Sequence, residues 1–201
     1  MNKSQLVYDD KDKKIPFERN SWVSATKTRN YIANDGLLDW LNIYGIKKGF
    51  RKDTKKKGYD INLDFTNFLF EQGKKFEETV IEYLKRKHGD PNFVEVSKIP
   101  SHSWSLEKAE ETLELMNKGI PFIIQGVLWN PNNRTFGIPD ILVRSDWLNE
   151  ITVEPSIDKS SELTRAPLLN SKYHYRVVDV KFTTLEFNAN NTQLKNSKPS
   201  Q

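Results

Sequence analysis

Asp140, Asp179 and Lys181 place charge on two apolar segments that otherwise carry none there. The first reads Gly137-Ile138-Pro139-Asp140-Ile141-Leu142-Val143, the second Val177-Val178-Asp179-Val180-Lys181-Phe182. Apolar runs of this length predict short buried strands. Side chains alternate along a strand, so Asp179 and Lys181 share a face with Val177, while Val178, Val180 and Phe182 form an apolar face. Charge on a buried segment is costly unless it is paired or binds a metal. Two carboxylates and a lysine suit phosphodiester hydrolysis. Mg2+ (or Mn2+) held by Asp140 and Asp179, with the Val180 carbonyl as a further oxygen ligand, would bind a phosphate oxygen and lower the pKa of a bound water. Lys181 would orient that water or stabilise the developing negative charge.

A third acid comes from a predicted helix over Asn67 to Lys87, with an apolar stripe of Leu69, Phe76, Val80, Tyr83 and Leu84. Glu78 lies one turn from Lys74, Lys75 and Glu82, on the wet face. Glu77 lies beside the stripe, near Gly73, Val80 and Ile81. Glu77 would complete the site, directly or through a water. Gly137 has no side chain and would let a substrate strand or a backbone come close. Seven cations, Lys47, Lys48, Arg51, Lys52, Lys55, Lys56 and Lys57, crowd one stretch with Gly49 and Gly58. This is a solvated loop that would also contact phosphates and give salt-sensitive affinity for nucleic acid. Arg144 shares the strand face of Asp140 and is a further candidate for a phosphate or a carboxylate. His88, His102 and His174 have no metal-ligand spacing, and His174 is assigned an ordinary packing or surface role. Trp22, Trp40, Trp104, Trp129 and Trp147 are scattered and read as core or boundary residues.

The elements that must position these groups follow from local signals. Ser24 is a candidate N-cap for a helix within Ser21 to Ile32, and Asp35-Gly36 breaks the chain before a second helix over Leu37 to Tyr44. His88-Gly89-Asp90-Pro91 ends the long helix. Phe93 to Val96 reads as a strand, and Ser105 caps a helix over Leu106 to Asn117. Pro121 to Trp129 and Arg134 to Arg144, joined by Asn130-Pro131-Asn132-Asn133, predict a β-hairpin. Glu154 to Leu169 is a polar excursion, and Tyr173 to Thr184 a third core strand. The order of helix, hairpin and strand predicts an α/β domain with helices packed on a central sheet.

The 201 residues suffice for one domain with a core, and the formal net charge is +4. There is no cysteine, which excludes disulfides, thiolate zinc sites, cysteine nucleophiles and iron–sulfur clusters. It fits an intracellular location, cytoplasm or nucleus. No apolar run approaches the roughly 20 residues of a membrane span, so no membrane partner is expected. Residues 1–20 form a polar N-terminal extension, without the apolar stretch of a signal peptide and expected to be partly disordered. Residues 188–201 form a polar tail rich in Asn, Ser and Lys.

Gly73-x-x-Phe76-Glu77, Gly137-Ile138-Pro139-Asp140 and Asp179-Val180-Lys181 together resemble the PD-(D/E)XK nuclease superfamily, most nearly its RecB-like exonuclease branch. The stretch Ile124-Gln125-Gly126-Val127-Leu128 looks like that branch too. The resemblance covers residues 21–187. It implies a restriction-endonuclease-like core, a central mixed β-sheet flanked by helices. It also implies metal ligation by Asp140 and Asp179, Lys181 as the catalytic lysine and Glu77 as the helix glutamate. The implied activity is Mg2+-dependent hydrolysis of DNA, single- or double-stranded, by an exonuclease of recombination, repair or replication. A helicase or another replication or repair protein is the implied partner. Two features depart from the pattern. The cysteines of the iron–sulfur subgroup are missing. A Gln-x-x-x-Tyr helix is expected near the end, yet Gln193 is followed four residues on by Ser197, so the C-terminal part of the core is expected to be missing and the chain to be truncated. The alternatives are a non-catalytic nucleic-acid-binding module with a degenerate or incomplete nuclease fold, and an interaction domain whose charges only pair with one another.

Overall fold

A computed structural model of the chain describes residues 21–169, 171–183, 187 and 189. In chain order these form β1 (Val23–Ser24), α1 (Ala25–Ile32), α2 (Gly36–Trp40), α3 (Phe65–His88), β2 (Phe93–Glu95), α4 (Leu106–Lys118), β3 (Phe122–Ile124), β4 (Leu128–Asn130), β5 (Thr135–Gly137), β6 (Ile141–Arg144), α5 (Ser145–Leu148), α6 (Lys159–Glu162) and β7 (Tyr175–Val178). The fold is mixed α/β, with two mixed sheets flanked by helices. The larger sheet has the order β2-β3-β6-β7, with β2 parallel to β3 and the other neighbours antiparallel. The smaller has the order β1-β5-β4, β1 parallel to β5.

The apolar runs of β3 and β6 place them at the centre of the larger sheet, buried on both faces. Phe122, Ile124, Ile141 and Val143 face Val80, Ile81 and Leu84 of α3. Ile123 and Leu142 face Leu115 and Met116 of α4. The sheet is thus a layer between two helices. The first half of α4 continues beneath the smaller sheet, where Ala109 packs with Trp22, Val127 and Trp129.

The helix ends follow local chemistry. Ser24 caps α1, and Asp64 caps α3 by accepting from the N–H groups of Thr66 and Asn67. Ser105 caps α4, and Gly119, at φ 75°, closes it in the left-handed conformation.

The predicted hairpin is split. β3 and β6 pair in one sheet, β4 and β5 in the other, and both arms change sheet, at Gln125–Gly126 and at Ile138–Asp140. Gly126 is required at the first bend: a Cβ there would lie 2.8 Å from Leu142 Cδ1 and 2.9 Å from Thr112 Cγ2. The bend strands the N–H of Val127, which donates to the buried Thr112 hydroxyl at 2.8 Å.

Other expectations need correction. Of the predicted stripe on α3, only Leu84 is buried, while Leu69, Phe76 and Tyr83 are exposed, because only the last turns of this 24-residue helix reach the sheet. The second helix is shorter than predicted and continues as a π turn over Leu41–Gly45, with Leu37, Leu38 and Trp40 exposed. The third core strand is an edge strand of four residues. Gly137 admits Ala25 of α1 rather than a substrate, since a Cβ there would sit 3.2 Å from the Ala25 Cβ. No helix among the described residues is long and apolar enough to cross a membrane. The N-terminal extension lies outside the described residues, as do Gln193, Ser197 and all of the tail but Ala189.

Candidate active site

Three elements bring four charged side chains to one end of the larger sheet. Glu77 comes from the middle of α3, Asp140 from the residue before β6, and Asp179 and Lys181 from the two positions flanking Val180 just past β7. Register explains the meeting: Ile141 pairs with Val178, so Asp140 and the chain after β7 lie side by side. The N–H of Val180 donates to Asp140 Oδ2 at 2.6 Å, tying the two segments together. The predicted alternation holds in part: Val178 and Val180 pack against the core and Val177, Asp179 and Lys181 point outward, but Phe182, expected on the apolar face, is exposed beside Phe76. Asp179 and Lys181 are not buried charges, however. Their side chains are 54% and 72% exposed, and β7 has a single strand neighbour among the described residues.

The electrostatics of the cluster are dominated by its acids. Burial raises the Asp140 carboxyl above the usual range. The Val180 N–H opposes this, and the charges of Glu77 and Asp179, with a hydrogen bond to Asp179, push it up further. Lys181 Nζ donates to Asp179 Oδ1 at 2.8 Å, and this bond raises the lysine above its ordinary value. The lysine is thereby held as an ammonium paired with Asp179.

Gln125 belongs to the same group. It is held at φ 47°, a backbone conformation that non-glycine residues seldom adopt. Its N–H donates to the Asp140 carbonyl at 2.9 Å and its side-chain Nε2 to Glu77 Oε1 at 2.9 Å. One residue thus positions the helix glutamate relative to the strand aspartate. A polar residue ending the apolar run Ile123-Ile124 was the available signal in the sequence.

Other candidates stand apart. Arg144 lies at the far end of β6 from Asp140, about 13 Å along a strand. Its guanidinium binds both carboxylate oxygens of Asp146, at 2.7 and 2.9 Å, donates to the Gly119 carbonyl and lies over the Tyr173 ring. It is an internal tie rather than a group facing a phosphate. His174 Nδ1 bonds the Thr164 carbonyl at 2.9 Å, in a packing role. The cations Lys47, Lys48, Arg51, Lys52, Lys55, Lys56 and Lys57 are exposed on the connection between α2 and α3.

The donor set suits a hard divalent cation: carboxylates and a backbone carbonyl, with no sulfur in reach. Glu77 and Asp179 add to the rise that burial gives the Asp140 carboxyl, although Lys181 stands as a counter-charge to Asp179. Among the described residues no three acidic or imidazole side chains already form a cation cage. Comparison with protein-family models, with curated proteins and with solved structures finds no match. Fold and site define a mixed α/β protein with three carboxylates and one lysine gathered at a sheet end.

Proposed function

We infer that the chain is a metal-dependent nuclease that hydrolyses phosphodiester bonds in DNA, an exonuclease of recombination, repair or replication on a restriction-endonuclease-like core. The observation that carries this reading is the convergence of Glu77, Asp140, Asp179 and Lys181, far apart in the chain, at one edge of a buried sheet. Asp140 and Asp179 would hold Mg2+ or Mn2+, with the Val180 carbonyl and Glu77 as further donors. A cation held there supplies positive charge against the phosphate and makes water a better nucleophile at neutral pH. Lys181 would add a positive charge beside the phosphate and stabilise the negative charge that develops there. Gln125 keeps Glu77 from swinging away, and Val180 fixes the rotation of the Asp140 carboxylate.

One observation favours a second reading. Asp179 is already neutralised by Lys181, and Glu77 already has a partner in Gln125. Charges that pair only with one another suit a fold without catalysis, either a nucleic-acid-binding module or an interaction domain. End-labelled single- and double-stranded DNA, incubated with Mg2+ or Mn2+, separates the two. Asp179→Ala and Lys181→Ala are each expected to abolish cleavage while DNA binding stays salt-sensitive and near the parent's. Variants that cut like the parent would remove the site assignment. A folded parent that binds DNA but never cuts it would favour the binding module.

A further inference from the structure

The stretch from Lys47 to Lys57, with seven cations, includes Phe50, one ring of an aromatic cluster that the acid site does not use. Trp40, Tyr44 and Phe50 lie together, with the Trp40 ring 5.9 Å from Tyr44 and 6.0 Å from Phe50. Each is well exposed, at 39%, 48% and 56%. Their grouping is built by a specific turn. Gly49, at φ 87°, donates its N–H to the Ile46 carbonyl, and Phe50 donates to the Gly45 carbonyl at 3.0 Å. This is a Schellman closure, which reverses the chain and lays Phe50 back on the helix it has just left. Gly45 is buried beneath, and a Cβ added there would lie 3.7 Å from the Phe50 Cβ. The turn spends a left-handed glycine to display an aromatic ring where burial would be the ordinary outcome.

We propose that this surface binds an unpaired nucleic-acid strand, its bases against Trp40, Tyr44 and Phe50 and its phosphates against the surrounding cations. The inference rests on the reading that the chain acts on nucleic acid, and it selects the single strand over the duplex. Exposed rings stack on bases only where those bases are unpaired, and stacking tolerates any sequence. Charge complementarity argues for this occupant over a second copy of the chain. The stretch from Lys47 to Lys57 holds seven cations and one carboxylate, Asp53, so two copies meeting here would repel.

The test is fluorescence-anisotropy titration in EDTA, where no metal-dependent cutting occurs, with a labelled oligothymidine strand and a duplex of equal length. The parent is expected to prefer the single strand. Tyr44→Ala and Phe50→Ala, checked for folding by thermal melting, are expected to lose about tenfold in single-strand affinity and little in duplex affinity. Phe50→Trp should restore the preference. Replacing Lys55, Lys56 and Lys57 by Ala should weaken both substrates and flatten the salt dependence. The inference is overturned if the aromatic variants bind the single strand as the parent does, or if both affinities fall together. It is also overturned if the parent binds neither probe, or forms a dimer that Phe50→Ala dissolves. Binding in EDTA is independent of cleavage. A preserved single-strand preference in a protein that never cuts would end the nuclease reading and leave this surface standing.

Discussion

Gln125 is the residue on which the acid cluster turns. A left-handed backbone at a non-glycine position costs about 1 kcal/mol or more and persists only where the surroundings enforce it. Here they do so at a junction that fixes Asp140 through the backbone and Glu77 through the side chain. Gln125→Gly should relieve the conformation and release the glutamate. The thermal midpoint is then expected to stay within a few degrees of the parent, while kcat on DNA with Mg2+ falls about tenfold through lost positioning. An unchanged kcat would reduce Gln125 to a packing residue. Asp140, Asp179 and Lys181 were legible in the sequence because charge on an apolar run is anomalous, and Glu77 because it sits beside the apolar stripe of a helix. Gln125 was not, since its amide acquires meaning only from a partner 48 residues away. Arg144 was read as a partner for a phosphate or a carboxylate, and the carboxylate it binds is that of Asp146. Strand alternation places it on the face of Asp140 but is silent on distance along the strand and on the nearby Asp146.

Among the elements, the doubled hairpin sets the geometry. Its arms were readable as strands from their apolar runs and the Asn-Pro-Asn-Asn turn, yet the change of sheet within each arm was not. That change depends on what lies under Gly126, namely Leu142 and Thr112, and on no local preference. Gly126→Ala forces a methyl group against both, and overpacking of this kind costs about 1–3 kcal/mol. The urea midpoint is expected to drop accordingly without a change in the slope of the transition, and an unchanged midpoint would show that the bend has room. Helix α3 shows the opposite limit. Its existence and ends were legible from pattern and caps, but a 3.6-residue stripe cannot say how much of a long helix finds a partner. Phe65, Phe68 and Phe70 remain exposed on its first turns, and Leu84 alone is buried near its last.

At the scale of the whole molecule, α3 is anchored to the sheet by its final residue. His88 stacks on Phe122 with ring centroids 4.7 Å apart and meets the edge of Trp147 at 5.7 Å. Burial lowers its pKa, Lys87 adds to the shift, and Glu150 opposes it. The unfolded chain therefore takes up this proton more readily than the folded one. The stabilising contribution is full above the ordinary value of 6.5 and is lost as pH falls from there through the lowered folded value. The urea midpoint is expected to fall more between pH 7.5 and pH 5 for the parent than for His88→Phe. Parallel behaviour would mean that the imidazole ionises in place. The α/β class and the order of elements were readable in the chain, whereas the division into two sheets arises from the bends. That β7 is an edge strand among the described residues has a kinetic side. Asp140 adjoins a strand paired on both flanks, while Asp179 and Lys181 follow one paired on a single flank. Edge strands open more often than central ones. The outer half of the cluster thus hangs on fewer sheet bonds than the inner half, with the Val180 N–H to Asp140 contact joining the two.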